Sequence, residues 1–313
     1  MSLDSFNVTR TFHRDTYPAI SPTKASLSQA GKAVLITGGG GGIGFEIARS
    51  FAKAGASKII IVGRRTAVLD AAAVKLREEF KNSTPTPEFI AHQGDIGDDA
   101  SISSIWKFLN SQNIFVRVLV LNAAHFYPLG PDTLKMDKRE IMEGFNTNVG
   151  GNFLMTVNFV NQPLRPKGQQ LNLVNVSTST IHIIPGPNST PYAASKAAFT
   201  ALTGRIADEH PVEEIQIISF HPGIIYSEGT AKFADKNLKW DEMALPADYA
   251  VWAASPEASW LHGRFVWAHW DVDELKADKE FSKRLEQEKG FLRVAVQGLK
   301  DISVDAFLNK QGS

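Results

Sequence analysis

The chain has 313 residues, 43% of them hydrophobic, and its acidic and basic side chains balance to a formal net charge of zero. That length suits one large domain or two small ones, and nothing in the neutral balance suggests a basic nucleic-acid surface or a polybasic membrane patch. There is no cysteine, which excludes disulfides, thiol nucleophiles and cysteine-based metal sites, and no apolar run approaches the length of a membrane span.

Residues 1–30 are polar, carry Pro18 and Pro22 and have no clear period. They are expected to form an extension that lies on the domain surface or is partly disordered. The opening MSLDSFNVTR lacks the basic-then-apolar pattern of a secretory signal, so a cytoplasmic location is expected. Residues 34–51 then read VLITGGGGGIGFEIARSF. Ala33 to Ile36 is a short apolar run suited to a buried parallel strand. Ile43, Ile47 and Phe51 recur every fourth residue, which is the stripe of an amphipathic helix, and Gly55 is its stop. The glycines therefore form a strand-to-helix turn rather than a linker. Such a turn presents backbone N–H groups and the positive end of a helix to an anion, which points to a phosphate site.

Strand-like and helix-like segments continue to alternate. KIIIV at 58–62 is a strand and 66–80 a helix. PEFIAHQGD carries the third strand, 98–110 a helix, and RVLVLN the fourth strand. A long helix is expected over Lys138 to Val160, then LNLVNVS as the fifth strand, a helix at 191–209 and IQIISFHPG as the sixth strand. Residues 227–245 read as irregular, Pro246 to Ala254 as a short helix and RFVWAHW as a seventh strand. This alternation implies an α/β architecture: a doubly wound parallel sheet of about seven strands with helices on both faces. One domain over 31–270 and a charged, mostly helical tail over 271–313 are expected. Ligands of such sheets bind beyond the carboxyl ends of the strands, where the glycine turn lies.

The segment TPYAASKAAF places Tyr192 and Lys196 four apart on a helix, hence on one face. A nearby ammonium favours a phenolate and lowers the tyrosine pKa, so the pair suits proton transfer to or from a carbonyl or hydroxyl oxygen. The eight histidines, at 13, 92, 125, 182, 210, 221, 262 and 269, are scattered and lack zinc-motif spacing, so no metal site is expected. After the second strand the chain reads VGRRT, with no acidic residue to bind a ribose 2′-hydroxyl. Arg64 and Arg65 stand there instead and suit a 2′-phosphate.

Together these motifs resemble the short-chain dehydrogenase/reductase family over roughly residues 31–270. TGGGGGIG resembles its T-G-x-x-x-G-I-G turn at Thr37, Gly38, Gly42, Ile43 and Gly44, and YAASK its Y-x-x-x-K. GDI, with Asp95 and Ile96, resembles the segment that contacts adenine. LNAAH, with Asn122, Ala123 and Ala124, resembles N-N-A-G, the last glycine being replaced by Ala124. NTNVGGNF supplies Asn148 in the place of the catalytic asparagine. HPGIIYS, with Pro222, Gly223, Ile225 and Ser227, resembles P-G-x-V-x-T. The ends of the chain look similar to fungal members.

The resemblance implies a Rossmann-like fold and the following roles. Tyr192 is the general acid/base, and Lys196 lowers its pKa and binds the nicotinamide ribose. Asn148 holds a water that relays protons to Lys196. Asp95 binds the adenine amino group, Asn122 and Ala123 line the cofactor, and Ser227 fixes the carboxamide. The catalytic hydroxyl falls on Thr178 by motif or on Ser179 by its spacing from Tyr192, with Ser177 structural. Arg64 and Arg65 point to NADP(H), with NAD(H) as the alternative. A substrate lid is implied at 227–245, carrying Phe233, Leu238, Trp240 and Met243. With Phe126, Tyr127, Ile183 and Ile184 it suggests an apolar carbonyl or alcohol substrate. Relatives of this kind form homodimers or homotetramers. The expected function is hydride transfer between NADP(H) and that substrate. A non-redox cyclase or isomerase and a nicotinamide-sensing binding protein are the alternatives. The Tyr192–Lys196–Asn148 set speaks against the sensor, which needs no proton shuttle.

Overall fold

The computed structural model describes residues 8–127, 132–184, 190–226, 237 and 239–296. Its strands are β1 (Ala33–Thr37), β2 (Lys58–Gly63), β3 (Glu88–Gln93), β4 (Val116–Leu121), β5 (Leu171–Val176), β6 (Ile215–His221) and β7 (Arg264–Trp267). They form one sheet in the order β3-β2-β1-β4-β5-β6-β7, and every neighbouring pair is parallel. Every residue of β1, β5 and β6 is buried, which requires cover on both faces of the sheet.

That cover comes from α1 (Gly42–Lys53), α2 (Thr66–Glu79), α3 (Asp99–Ser111), α4 (Lys138–Phe145), α5 (Asn152–Val160), α6 (Thr190–Glu209) and α7 (Ala244–Ala253), followed by α8 (Val272–Ala277) and α9 (Lys279–Gln287). Successive strand residues point to opposite faces. Val34, Ile36, Ile59 and Ile61 pack with Ile47, Phe51, Leu69 and Trp252 on one side. Leu35, Ile60 and Leu119 pack with Ile105, Leu109, Met155, Phe159 and Phe199 on the other. The doubly wound α/β sheet expected from the sequence is the fold observed. Strand order reverses between β2-β1 and β1-β4, which opens a crevice at the carboxyl ends of β1 and β4. No helix among the described residues is long and apolar enough to cross a membrane.

Two segments differ from the sequence reading. The stretch Lys138 to Val160 is not one helix: a wider turn of π type at Asn146–Gly151 separates α4 from α5. Its two asparagines and two glycines are weak helix formers. The chain also presses closely on the β3–α3 loop there, since a Cβ on Gly151 would overlap the Ile96 carbonyl. Residues 8–30 are not a loose surface extension either. Ile20 and Leu27 are fully buried, the Tyr17 hydroxyl donates to the Trp270 carbonyl at 3.0 Å, and the Thr16 hydroxyl donates to Asp248 at 2.5 Å. The arm runs across α7 and the end of β7, where Phe12 bridges Trp270.

Candidate active site

The crevice is built first from the ends of β1 and β4. The buried Thr37 hydroxyl oxygen accepts from the backbone N–H groups of Asn122 and Ala123, each at 3.0 Å. The Asn122 side-chain amide donates back to the Thr37 carbonyl at 3.0 Å. Gly38 follows Thr37 beneath this lock. Gly44 must lack a side chain, since a Cβ would overlap the Gly38 carbonyl and stand 2.6 Å from Asn122 Nδ2. Gly42 has φ +53°, which favours glycine. A Cβ on Gly41 or Gly42 would meet nothing within 4 Å, so the outer side of the turn is open. Helix α1 has no capping side chain and no acidic residue in its first turn. Its leading N–H groups, Ile43 among them, and its positive end therefore face that opening. This cradle fits the pyrophosphate of a dinucleotide.

Around it lie the other residues singled out from the sequence. Arg64 and Arg65 are exposed between β2 and α2. The Asp95 carboxylate caps Gly97 N–H at 2.8 Å through one oxygen. Ile96 is buried and Ala124 exposed. Pro222, Gly223 and Ile225 follow β6, and the Ile224 N–H between them donates to the Asp241 carboxylate at 2.8 Å. Ser227 lies outside the described residues, as do Phe233 and Leu238 of the expected lid.

The two residues expected from the sequence to transfer protons stand on α6. Tyr192 is in its first turn, half-buried, with its ring edge-on to Phe126 at 4.9 Å between centroids. Burial pushes its phenol up to about 12. Lys196 is one turn further on, 2% exposed, and its ammonium donates to the Val176 carbonyl at the end of β5 at 2.5 Å. Burial pulls that ammonium down to about 8. The lowering of the phenol expected from the Tyr–Lys spacing is therefore not met. Both groups are desolvated, and the ammonium is turned to the β5 carbonyl.

Asn148 is fully buried in the π turn. Its carboxamide accepts from His125 N–H at 2.7 Å and donates to the His125 carbonyl and the Ser195 hydroxyl, each at 2.9 Å. The side chain thus ties the loop after β4 to α6, and its amide donors are both taken. The three hydroxyls after β5 separate by their partners. Ser177 bonds Thr200 at 2.7 Å. Thr178 caps a short turn, its oxygen accepting from Thr180 N–H at 3.3 Å. The Ser179 hydroxyl makes no hydrogen bond among the described residues, while its backbone N–H donates to His221 Nδ1 at 3.1 Å.

At the mouth, Phe126 and Ile184 are exposed, and Tyr226 meets Trp240 edge-on at 5.3 Å. Tyr127 does not line it. It is buried, and its hydroxyl donates to the Ile141 carbonyl at 2.6 Å. Sequence reasoning missed a polar cluster behind this site. Asp241 joins His269 at 2.8 Å and Arg14 at 2.9 Å, and His221 lies beside it. No local pattern marks these residues, which are up to 255 positions apart in the numbering. Among the described residues no group of three or more histidines and acids is arranged to hold a metal ion.

The chain is similar to known proteins. The family model described as short chain dehydrogenase matches residues 32–238. The short chain dehydrogenase/reductase nsrO of Aspergillus novofumigatus is 35% identical over 293 residues, covering 92% of this chain and 96% of that protein. A short chain dehydrogenase/reductase of Claviceps purpurea is 33% identical, covering 87% and 89%. Among solved structures, the 3-ketoacyl-(acyl-carrier-protein) reductase of Brucella melitensis, complexed with NADH, superposes with a TM-score of 0.67 at 25% identity. It covers 77% of this chain and 97% of its own.

Proposed function

The chain belongs to the short-chain dehydrogenase/reductase family of NAD(P)(H)-linked oxidoreductases, and from that premise we propose that it is an NADP(H)-dependent enzyme interconverting a ketone or aldehyde and an alcohol on an apolar small molecule. The observation that carries this reading is a convergence at one end of the sheet. The open glycine cradle after β1, the free Ser179 hydroxyl after β5 and the Tyr192 phenol on α6 all stand there.

Bound nicotinamide supplies or takes the hydride. Tyr192, protonated at neutral pH because burial holds it at about 12, donates its proton to the substrate oxygen as the alcohol forms. The Ser179 hydroxyl donates a hydrogen bond to the same oxygen. Thr178 is the weaker candidate for that role, since the two bonds that its oxygen accepts from Thr180 fix its side chain within the turn. Lys196 commits one N–H to Val176 and offers the others to the nicotinamide ribose. Asn148 holds the His125 loop against α6 and so fixes the floor of the site.

Thr37, Gly38, Gly42, Ile43 and Gly44 cradle the pyrophosphate, and Asn122, Ala123 and Ala124 line its path. Asp95 and Ile96 would take the adenine. Pro222, Gly223 and Ile225 border the nicotinamide, and Ser227 takes the carboxamide. Arg64, with Arg65 beside it, pairs with the 2′-phosphate. Both guanidinium groups are exposed and have no ion pair among the described residues, which supports this reading. Exposed Phe126 and Ile184, and the Tyr226–Trp240 pair after β6, support an apolar substrate. Exposed Met142 on α4 and Phe153 on α5 support self-association into a homodimer or homotetramer.

The test is titration with NADPH and NADH, followed by a screen of aromatic ketones for loss of nicotinamide absorbance. Tight NADPH binding and turnover abolished by Tyr192→Phe are expected. Equal affinity for NADH removes the 2′-phosphate assignment, and turnover surviving in Tyr192→Phe removes the acid/base assignment.

A further inference from the structure

Two histidines far apart in the sequence, His221 and His269, meet behind the turn that presents Ser179, and a third, His182, closes that turn. His221 ends β6, and its partner in register on β7 is Trp267. The Ser179 backbone N–H points at His221 Nδ1, 3.1 Å away. An amide can only donate, so Nδ1 is the bare nitrogen, the ring proton is on Nε2 and the imidazole is neutral. The far end of the same turn is held from the same place. The Trp267 indole N–H donates to His182 Nε2 at 3.0 Å, and His182 N–H closes the turn on the Ser179 carbonyl at 3.1 Å.

The acceptor itself is braced. Trp267 lies edge-on to the His221 ring at 4.7 Å between centroids, and His269 lies 5.5 Å away on another side. His269 is in turn held by Asp241 at 2.8 Å and stacked by Phe12 at 4.4 Å. Asp241 accepts from Arg14 at 2.9 Å. The N-terminal arm thus backs an imidazole whose one hydrogen bond among the described residues is to the amide of Ser179.

We propose that His221 is a positioning residue: by accepting the Ser179 amide, with Trp267 holding the other end of the turn, it sets the direction in which the Ser179 hydroxyl meets the substrate oxygen. This rests on reading Ser179 as the hydroxyl donor. The required property is an uncharged, rigid acceptor. A carboxylate in this place would bring a charge into a buried site, and an apolar side chain would leave the amide unpaired.

The test uses the full chain with His221→Leu, which removes the acceptor, and His221→Asn, whose Oδ1 takes the place of Nδ1. Hydrogen exchange over a peptide spanning 177–184, read by mass spectrometry, reports the contact without any need for turnover. Reduction of phenanthrenequinone by NADPH reports its consequence. In His221→Leu exchange at the turn is expected to speed up about tenfold or more and kcat to fall about 10- to 100-fold, the scale of a misplaced catalytic group. NADPH affinity is expected to stay within about twofold, because the cradle is untouched. In His221→Asn both protection and kcat are expected to return to within about fivefold of the parent. Unchanged exchange in the leucine variant overturns the proposal, as does equal impairment of the two variants, which marks simple packing. Ser179→Ala and Thr178→Val run alongside. Full activity in Ser179→Ala overturns the Ser179 reading itself, whereas an inactive Ser179→Ala beside a fully active His221→Leu overturns only the positioning role.

Discussion

Replacing His221 with asparagine should flatten the acid dependence of stability by a predictable amount. Burial, and then repulsion from His269, pull the His221 pKa down to about 3; His182 adds to the lowering and the Asp241 carboxylate opposes it. In the unfolded chain the same imidazole titrates near its ordinary value of about 6.5. Between those values the unfolded state binds a proton that the folded state refuses. Stability from this group is therefore fully present above about pH 6.5 and is lost as pH falls towards the folded pKa. At about pH 5.5 the unfolded histidine is roughly nine-tenths protonated, so the slope is about 1.2 kcal/mol per pH unit. Carboxylates contribute little in this window, because their unfolded values lie near about 4. Other histidines lowered by burial, such as His92 and His262, act equally in parent and variant and cancel. Urea unfolding at about pH 6 and about pH 5 should thus show the parent losing about 1.2 kcal/mol more than His221→Asn. Equal losses in the two proteins would refute the claim that this imidazole is held neutral.

Gly44→Ala should destabilise the fold by about 1–3 kcal/mol and abolish cofactor binding, because its methyl overlaps the Gly38 carbonyl. Gly41→Ala faces open space, so it should keep the parent Tm while weakening NADPH binding about tenfold, as a thermal melt and a fluorescence titration would report; an unaltered affinity counts against the cradle. Arg64→Glu should raise the NADPH Kd about tenfold or more and leave that for NADH within about threefold, and parallel losses for both would remove the 2′-phosphate assignment. Ile20→Ala should cost about 2–4 kcal/mol in chemical unfolding, since the side chain is fully buried. A cost below about 0.5 kcal/mol would mean that the arm contributes no more than a surface residue.

What the sequence makes legible is what local pattern encodes. Strands covered on both faces must be continuous apolar runs, so AVLI and KIIIV announce themselves. The glycine turn carries its own strand and helix on either side. Tyr192 and Lys196 are visible because four-residue spacing is a property of one helix. The rest depends on partners that spacing does not reveal. Tyr127 reads as another aromatic beside Phe126, yet its hydroxyl finds the Glu140 and Ile141 carbonyls and the ring turns inward. The arm from Val8 to Ala30 has no period because it is anchored by single side chains, Tyr17, Ile20 and Leu27, that pack into the core on one face of the sheet. Arg14, His221, Asp241 and His269 have individually ordinary neighbours in sequence, and only the sheet order and the arm bring them together.

The same distinction governs the chemistry. Four-residue spacing says that a phenol and an ammonium share a face, but burial decides what each does with its proton. With Tyr192 at about 12 and Lys196 at about 8, both groups hold their protons at neutral pH, and the ammonium is directed to the Val176 carbonyl. A protonated phenol is the form that the proposed donation to a carbonyl oxygen requires. Running the other way requires a phenolate that this burial opposes. The desolvation that keeps the phenol protonated is thus the physical ground on which the proposed role of Tyr192 as proton donor rests.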